Sequence, residues 1–208
     1  LPTFGAEPRL GANPISIAAP ARNEPPVLFD VATSAIAGNK VSLAKRVGAD
    51  LMPGWIADAK GNPIMEETPV LEPGQYAQLP LGSTREQGSH KGYGFSMMAE
   101  ILGSLLAGSV PTMLDDVPRE SMFKNFFAAY DIAAFTDVET FKDNMDQMLH
   151  SLRTTRPAPG HERVLYPGLS EHEEVLERRA NGIPFHREVV EWFDGAAEEL
   201  SVPRLRRM

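Results

Sequence analysis

Val27-Leu28-Phe29-Asp30-Val31-Ala32-Thr33-Ser34-Ala35-Ile36-Ala37-Gly38-Asn39-Lys40-Val41-Ser42-Leu43-Ala44-Lys45-Arg46-Val47-Gly48 is the stretch on which the fold turns. Its first five residues form a short apolar run ending at a carboxylate, the composition of a buried strand. From Thr33 the apolar residues recur at helical spacing, which predicts a helix from about Thr33 to Val47 with Gly48 as its stop. A strand feeding a helix is the elementary unit of an α/β protein, and the same alternation recurs to either side.

Upstream, prolines at positions 2, 8, 14, 20, 25 and 26 impose extended segments and turns, with Ile15-Ser16-Ile17-Ala18 as a short strand. Downstream, Asp58-Ala59-Lys60-Gly61-Asn62-Pro63 is a turn, because Gly and Asn tolerate left-handed backbone. Leu79-Pro80-Leu81-Gly82 opens a polar loop that runs to His90-Lys91-Gly92. The apolar stretch from Gly92 to Val110 follows, interrupted by Ser96, Glu100 and Ser104. A carboxylate at its centre is costly in lipid, so it reads as a buried core helix and not a membrane span.

Asn125 to Ile132 reads as a strand, and Thr136-Asp137-Val138-Glu139 as a capping box opening a helix to about Arg153. Arg163-Val164-Leu165-Tyr166 reads as another strand, followed by a second box, Ser170-Glu171-His172-Glu173. A final helix from about His186 to Leu200 carries Val189, Phe193, Ala196 and Leu200 on one stripe. The stretch from Thr154 to Gly160, rich in Pro and Gly, divides residues 1–155, a sheet domain, from 156–208, a C-terminal strand and helical arm.

Composition narrows the function. A chain of 208 residues can bury about 70% of its unfolded surface, so it needs no staple. It has no cysteine, which rules out disulfides, thiolate nucleophiles and Cys-based zinc sites and makes the cytoplasm the expected compartment. A net charge of -8 opposes nucleic acid and anionic membranes as partners. No basic segment followed by an apolar run opens this sequence, so we expect no signal peptide within it. The start at Leu1, running straight into proline-punctuated chain, leads us to expect further sequence upstream.

Several common chemistries have no signature here. Gly92-Tyr93-Gly94 lacks the third glycine of a dinucleotide fingerprint, and Gly88-Ser89-His90-Lys91 lacks the spacing of a nucleotide-phosphate loop. Neither a Gly-x-Ser-x-Gly elbow nor a His-Glu-x-x-His occurs. His150, His161, His172 and His186 show no ligand spacing, and Trp55 and Trp192 read as packing residues. Two segments remain. Ser89-His90-Lys91-Gly92-Tyr93-Gly94 places a cation, an imidazole and two glycines at a helix start, which suits an anion but equally suits a solvated loop. Asp30 either caps the following helix or lines a cofactor crevice at the carboxyl end of its strand.

Eight motifs then fall in one order: Gly11-Ala12-Asn13-Pro14, Asp30-Val31-Ala32-Thr33-Ser34, Gly54-Trp55, Asp58 to Pro63, Leu79 to Gly82, His90 to Gly94, Ala158-Pro159-Gly160 and Gly182-Ile183-Pro184. That order resembles the malate/L-lactate dehydrogenase family, along the whole of 1–208 but only the later part of a member. The resemblance implies a non-Rossmann NAD(P)-binding fold, a three-layer α/β/α arrangement with a mixed sheet, and homodimers with sites near the subunit boundary. It implies that Asp30, Val31, Ala32, His90 and Lys91 contact NAD or NADP, with a further contact at Gly168, Leu169 and Ser170. Ala12 departs from the family's common Thr and Val31 from its Met. The family's acid/base histidines lie upstream, so no catalytic residue is assigned here and no metal is expected. The implied activity is hydride transfer between NAD(P) and a 2-hydroxy or 2-oxo acid. The alternative is a silent dinucleotide-binding or dimerisation module.

Overall fold

A computed structural model describes residues 1–114 and 124–205. In chain order the elements are β1 (Ile15–Ala19), β2 (Val27–Val31), α1 (Gly38–Val47), β3 (Ile56–Asp58), β4 (Tyr76–Gln78), α2 (Ser89–Glu100), α3 (Val138–Arg153), α4 (Leu169–Asn181) and α5 (Arg187–Glu199). A π-helical turn over Ile101–Leu105 extends α2. Strands and helices thus share the chain. The described residues hold two two-stranded sheets, β1-β2 and β3-β4, the second antiparallel with Ala57 opposite Ala77. No helix among the described residues is long and apolar enough to cross a membrane.

The chain forms two compact units: residues 1–17 with 29–135, and 18–28 with 136–208. In the second unit α3 packs with the C-terminal residues. Its Leu149, 1% exposed, clusters with Tyr166 and Leu169, and Ala21, Val27 and Met145 pack around them.

The core of the first unit is Ile36, Val41, Ala44, Leu51 and Ile56, with Trp55, Ile64, Val70, Leu71 and Tyr76 against it. Trp55 is the packing residue expected. α1 ends at Gly48 in the left-handed region (φ 67), whose freedom from a Cβ suits it to this stop. Its start differs from expectation. Thr33 gives both its N–H and its hydroxyl to the Ala12 carbonyl, at 2.8 Å each, and Ala35 N–H bonds the Leu79 carbonyl. Those tertiary bonds keep 33–36 out of the helix, which starts only at Gly38. Asp30, eight residues earlier, is therefore not its cap.

β2 is not buried as its composition suggested: Leu28 and Phe29 are 47% and 41% exposed, and among the described residues its sheet has a single neighbouring strand. The apolar helix is inverted in the same sense. Its buried stripe is Ser89, Gly92, Ser96 and Glu100, continued by Gly103 and Ser104, while Phe95, Met97, Met98 and Ile101 face solvent. Gly92 decides this packing, since a Cβ there would lie 2.4 Å from the Leu81 carbonyl oxygen. Glu100 is accounted for as well: its carboxylate accepts the N–H and hydroxyl of Thr112, at 2.8 and 3.1 Å. Burial pushes its pKa up, but these bonds and one from Ser104 leave it below the ordinary value.

Two expected strands do not form. Residues 125–131 are irregular and run into a 3₁₀ turn at Ile132–Ala134, with Phe127 and Tyr130 largely exposed. A strand needs a paired edge, and among the described residues none flanks this segment. Residues 163–166 are irregular too, held by side chains: Tyr166 gives its hydroxyl to the Pro25 carbonyl at 3.1 Å, and Arg163 grips Glu173 through two 2.6 Å bonds.

The helix starts in the second unit are one or two residues off. Asp137, not Thr136, caps α3, accepting Thr140 N–H at 2.8 Å. α4 starts at Leu169 behind Gly168, and Ser170 turns to Glu171 at 2.9 Å. α5 is capped by His186 and closed by Leu200. Its buried stripe passes through Ala197, leaving Leu200 69% exposed, and Trp192 is 66% exposed with an edge contact to Phe193 instead of a packing role.

Candidate functional site

The first unit contains a recess of about 120 Å³ where the segment after β2, the Gly11-Ala12 turn, the Leu79-Pro80 segment and α2 converge. Thr33 and Ser34 form one wall, Tyr93 and Ser96 another, and Gln78 a third. The sequence builds it through three devices. Asn13 sits in the left-handed region (φ 36), which its short polar side chain tolerates. Its Nδ2 donates to the Ser96 carbonyl at 3.0 Å and pins the turn to α2. Gly92 lets Leu81 lie directly on the helix. Thr33 and Leu79, 3% and 4% exposed, are fixed by ladder-like bonds, with Leu81 N–H on the Thr33 carbonyl at 2.9 Å.

The hydroxyls of this recess are not equivalent. Thr33 has given its proton to Ala12 and Ser34 has given its own to the Ile36 carbonyl, each at 2.8 Å, so both oxygens are left to accept. Ser96 is 5% exposed and its hydroxyl has no partner among the described residues. An unsatisfied buried hydroxyl is costly, on the order of 1–3 kcal/mol, and such atoms call for an explanation. No Asp, Glu, Lys or Arg side chain lines the recess. The Leu1 ammonium borders it, bound to the Gln78 carbonyl at 2.8 Å, with its pKa lowered by burial.

None of the residues singled out from sequence is among those that line this recess. Asp30 is exposed, and Val31 and Ala32 are half-buried, immediately before Thr33. His90 is exposed with its Nδ1 3.0 Å from Arg85 Nη1. Lys91 is exposed at the start of α2, its side chain lying over Gly88, whose φ of 104 favours glycine. In the second unit, Gly168 has φ 100 and comes so close to Leu28 that a Cβ would lie 2.7 Å from its amide nitrogen. Leu169 is a core side chain and Ser170 bonds Glu171. Among the described residues no three His, Asp or Glu side chains gather as a metal would require.

Sequence reasoning placed Asn13 and Tyr93 inside motifs and Ser96 in the apolar stretch, but assigned none of them a role at a site. A signal existed: Ser89, Gly92, Ser96, Glu100 and Ser104 recur at three- and four-residue spacing within an apolar run, which marks a helix face that meets backbone or ligand instead of oily side chains.

Comparison with known proteins identifies the class. The family model for malate/L-lactate dehydrogenase matches residues 1–194, and the chain belongs to that family. A malate dehydrogenase of Pyrococcus horikoshii is 35% identical over 98% of this chain and 57% of its own length. A malate/(S)-sulfolactate dehydrogenase of Methanothermus fervidus is 31% identical over 97% of the chain and 56% of its own length. Among solved structures, a malate dehydrogenase of Entamoeba histolytica superposes with a TM-score of 0.82 at 28% identity, covering 97% of this chain and 58% of that one. The chain thus spans somewhat more than half the length of these relatives.

Proposed function

We propose that this chain is the cofactor-holding part of an NAD(P)-dependent oxidoreductase that interconverts a 2-hydroxy acid and its 2-oxo acid, of malate, lactate or sulfolactate type. The observation that carries the reading is the recess itself. It lies where the residues after Asp30-Val31-Ala32 meet those after His90-Lys91, the segments that the family resemblance assigns to the dinucleotide. Bound there, the nicotinamide supplies the hydride. Thr33 and Ser34 orient the ligand through neutral hydrogen bonds, and the closely packed Leu79-Pro80 wall excludes water. His90 and Lys91 supply cationic and imidazole donors at a helix start suited to phosphate, and the family resemblance implies a further contact at Gly168, Leu169 and Ser170.

For the complete enzyme we expect the three-layer α/β/α, non-Rossmann arrangement with a mixed sheet that the family resemblance implies. The outward Phe95, Met97, Met98 and Ile101 support its assembly as a homodimer; the cytoplasm is the compartment expected for a chain without cysteine. Titration with NADH and NADPH, read by energy transfer from Trp55 and Trp192 to the reduced nicotinamide, tests the reading. Saturable transfer with one of them is expected, and none with either defeats it. A screen of malate, lactate, sulfolactate and ureidoglycolate then fixes the substrate.

A further inference from the structure

We infer that residues 125–131 are a docking strand through which two copies of this chain pair, antiparallel and centred on Ala128. This pairing goes beyond the oxidoreductase reading and does not depend on it. Asn125-Phe126-Phe127-Ala128-Ala129-Tyr130-Asp131 has the apolar and aromatic composition of a strand, and none of the seven has the positive φ that would exclude one. Yet among the described residues no N–H or carbonyl of 125–130 is bonded to another backbone group. Phe127 and Tyr130 are 89% and 79% exposed, and Phe126 is 45% exposed. Unpaired backbone carrying aromatic side chains in water is an edge open to another strand.

The side chains select a second copy as that strand. Two identical antiparallel strands are related by a two-fold axis perpendicular to their sheet, so each residue faces one of like parity. With Ala128 opposite its own copy, Phe127 meets the partner's Ala129, Phe126 the partner's Tyr130, and Asn125 the partner's Asp131. The segment is thus complementary to itself. Each Phe-Tyr pair is an aromatic cross-strand contact. Each Asn amide donates to an Asp carboxylate whose Oδ1 already accepts Ala133 N–H at 3.0 Å, leaving Oδ2 for it. The small central alanines admit close approach, and Lys124 falls one register position from the partner's Asp131, so the ends attract. Two strands alone are marginal in water. The segment begins where a Cβ on Gly103 would lie 3.4 Å from the Lys124 carbonyl oxygen, beside the outward Ile101 and Leu105, whose apolar surface is available to cover the pair. A net charge of -8 per copy opposes growth beyond two.

Sedimentation velocity of the full 208-residue chain over a concentration series should show monomer passing to dimer. Ala128→Lys sets two like charges directly opposite each other and should raise the dimer dissociation constant at least about tenfold, although it lowers the net negative charge of each copy. Because the chain has no cysteine, a single introduced thiol reports the register. Ala128→Cys brings two thiols together with their Cα atoms about 4.5–5.5 Å apart, within reach of a disulfide, and mild oxidation should yield a covalent dimer. Asn125→Cys holds them at opposite ends of the ribbon, about 20 Å apart, and should yield none. Monomer at every concentration overturns the pairing. So does a dimer that Ala128→Lys leaves intact, or one that cross-links as readily through position 125 as through 128; either would be held elsewhere, such as the outward face of α2. None of these outcomes touches the titration with NADH and NADPH, which decides the oxidoreductase reading separately.

Discussion

The first compact unit and the second hold their chains together by different means. In the first, α1 and the β3-β4 pair close over Leu51, Ile56 and Val41, at 0%, 1% and 3% exposure, and polar groups meet mostly through backbone. In the second, the apolar cluster is three residues with a thin margin around them, and residues 22–24 are tied to α3 by charge. Asp146 accepts the N–H groups of Arg22, Asn23 and Glu24 at 2.9, 3.0 and 3.1 Å, Arg22 bonds Glu139 and Asp143, and Arg153 bonds Glu24 at 2.8 Å. Where little apolar area is available, this unit satisfies turn amides with a carboxylate instead. Exposed ion pairs alone contribute little. A carboxylate serving three backbone donors supplies shape as well, because those donors have no strand to pair with.

This contrast can be broken in four ways, beginning with the largest effect. We predict that Leu51→Ala destabilises the first unit by about 2–5 kcal/mol, the cost of a cavity at a fully buried leucine. Urea unfolding monitored at Trp55 checks it, and a loss near zero would mean the cluster is not a core. Gly92→Ala should come next, at about 1–3 kcal/mol for a methyl forced against the Leu81 backbone. In that variant the α2 amides should exchange faster with solvent than those of α1, and equal protection would count against the close approach.

Asp146→Ala should act on the second unit alone and by less. The amides of Arg22, Asn23 and Glu24 should lose hydrogen-exchange protection while those around Leu51 keep theirs; a change in both would make the two units one cooperative body. Acid sharpens the same comparison. Burial raises the pKa of Asp146, but the amides of Glu24 and Asn23, the Asn23 side chain and the Arg22 amide together bring it below the ordinary carboxylate value. Bonds from Arg22 lower that of Glu139. A lowered folded-state pKa means stability that is present above the unfolded value, about 3.9 for Asp, and lost as pH falls through the folded one. Protection of residues 22–24 should therefore decline below about pH 4, ahead of that around Leu51. A decline beginning near neutrality would point away from these carboxylates.

Much of this was legible in the residues, and the gaps have a common origin. The stop of α1 at Gly48, the end of α3 at Arg153 and the limits of α5 at His186 and Leu200 followed from local chemistry, since caps and stops act within a few residues. The late start of α1 did not, because Ala12 and Leu79, distant in sequence, take the hydrogen bonds of Thr33 and Ala35. The strands expected at Asn125–Ile132 and Arg163–Tyr166 failed for the same reason: β composition states a preference, while a strand exists only beside a partner. At the candidate site, the order of short motifs located the two flanking segments, Asp30 to Ser34 and His90 to Gly94. It could not reveal that α2 buries its serines and glycines and turns its phenylalanine and methionines outward.

By itself, then, the sequence determined the family, the alternation of strand and helix, and the termini of helices whose caps lie next to them, because each depends on residues adjacent in the chain. Only the tertiary structure decided which face of α2 is covered, where Thr33 spends its proton, and that Ser96 is left with one to give. Those outcomes depend on backbone groups brought together from residues 12, 33, 79 and 96, and a hydrogen bond is set by distance in space, to which spacing along the chain is blind.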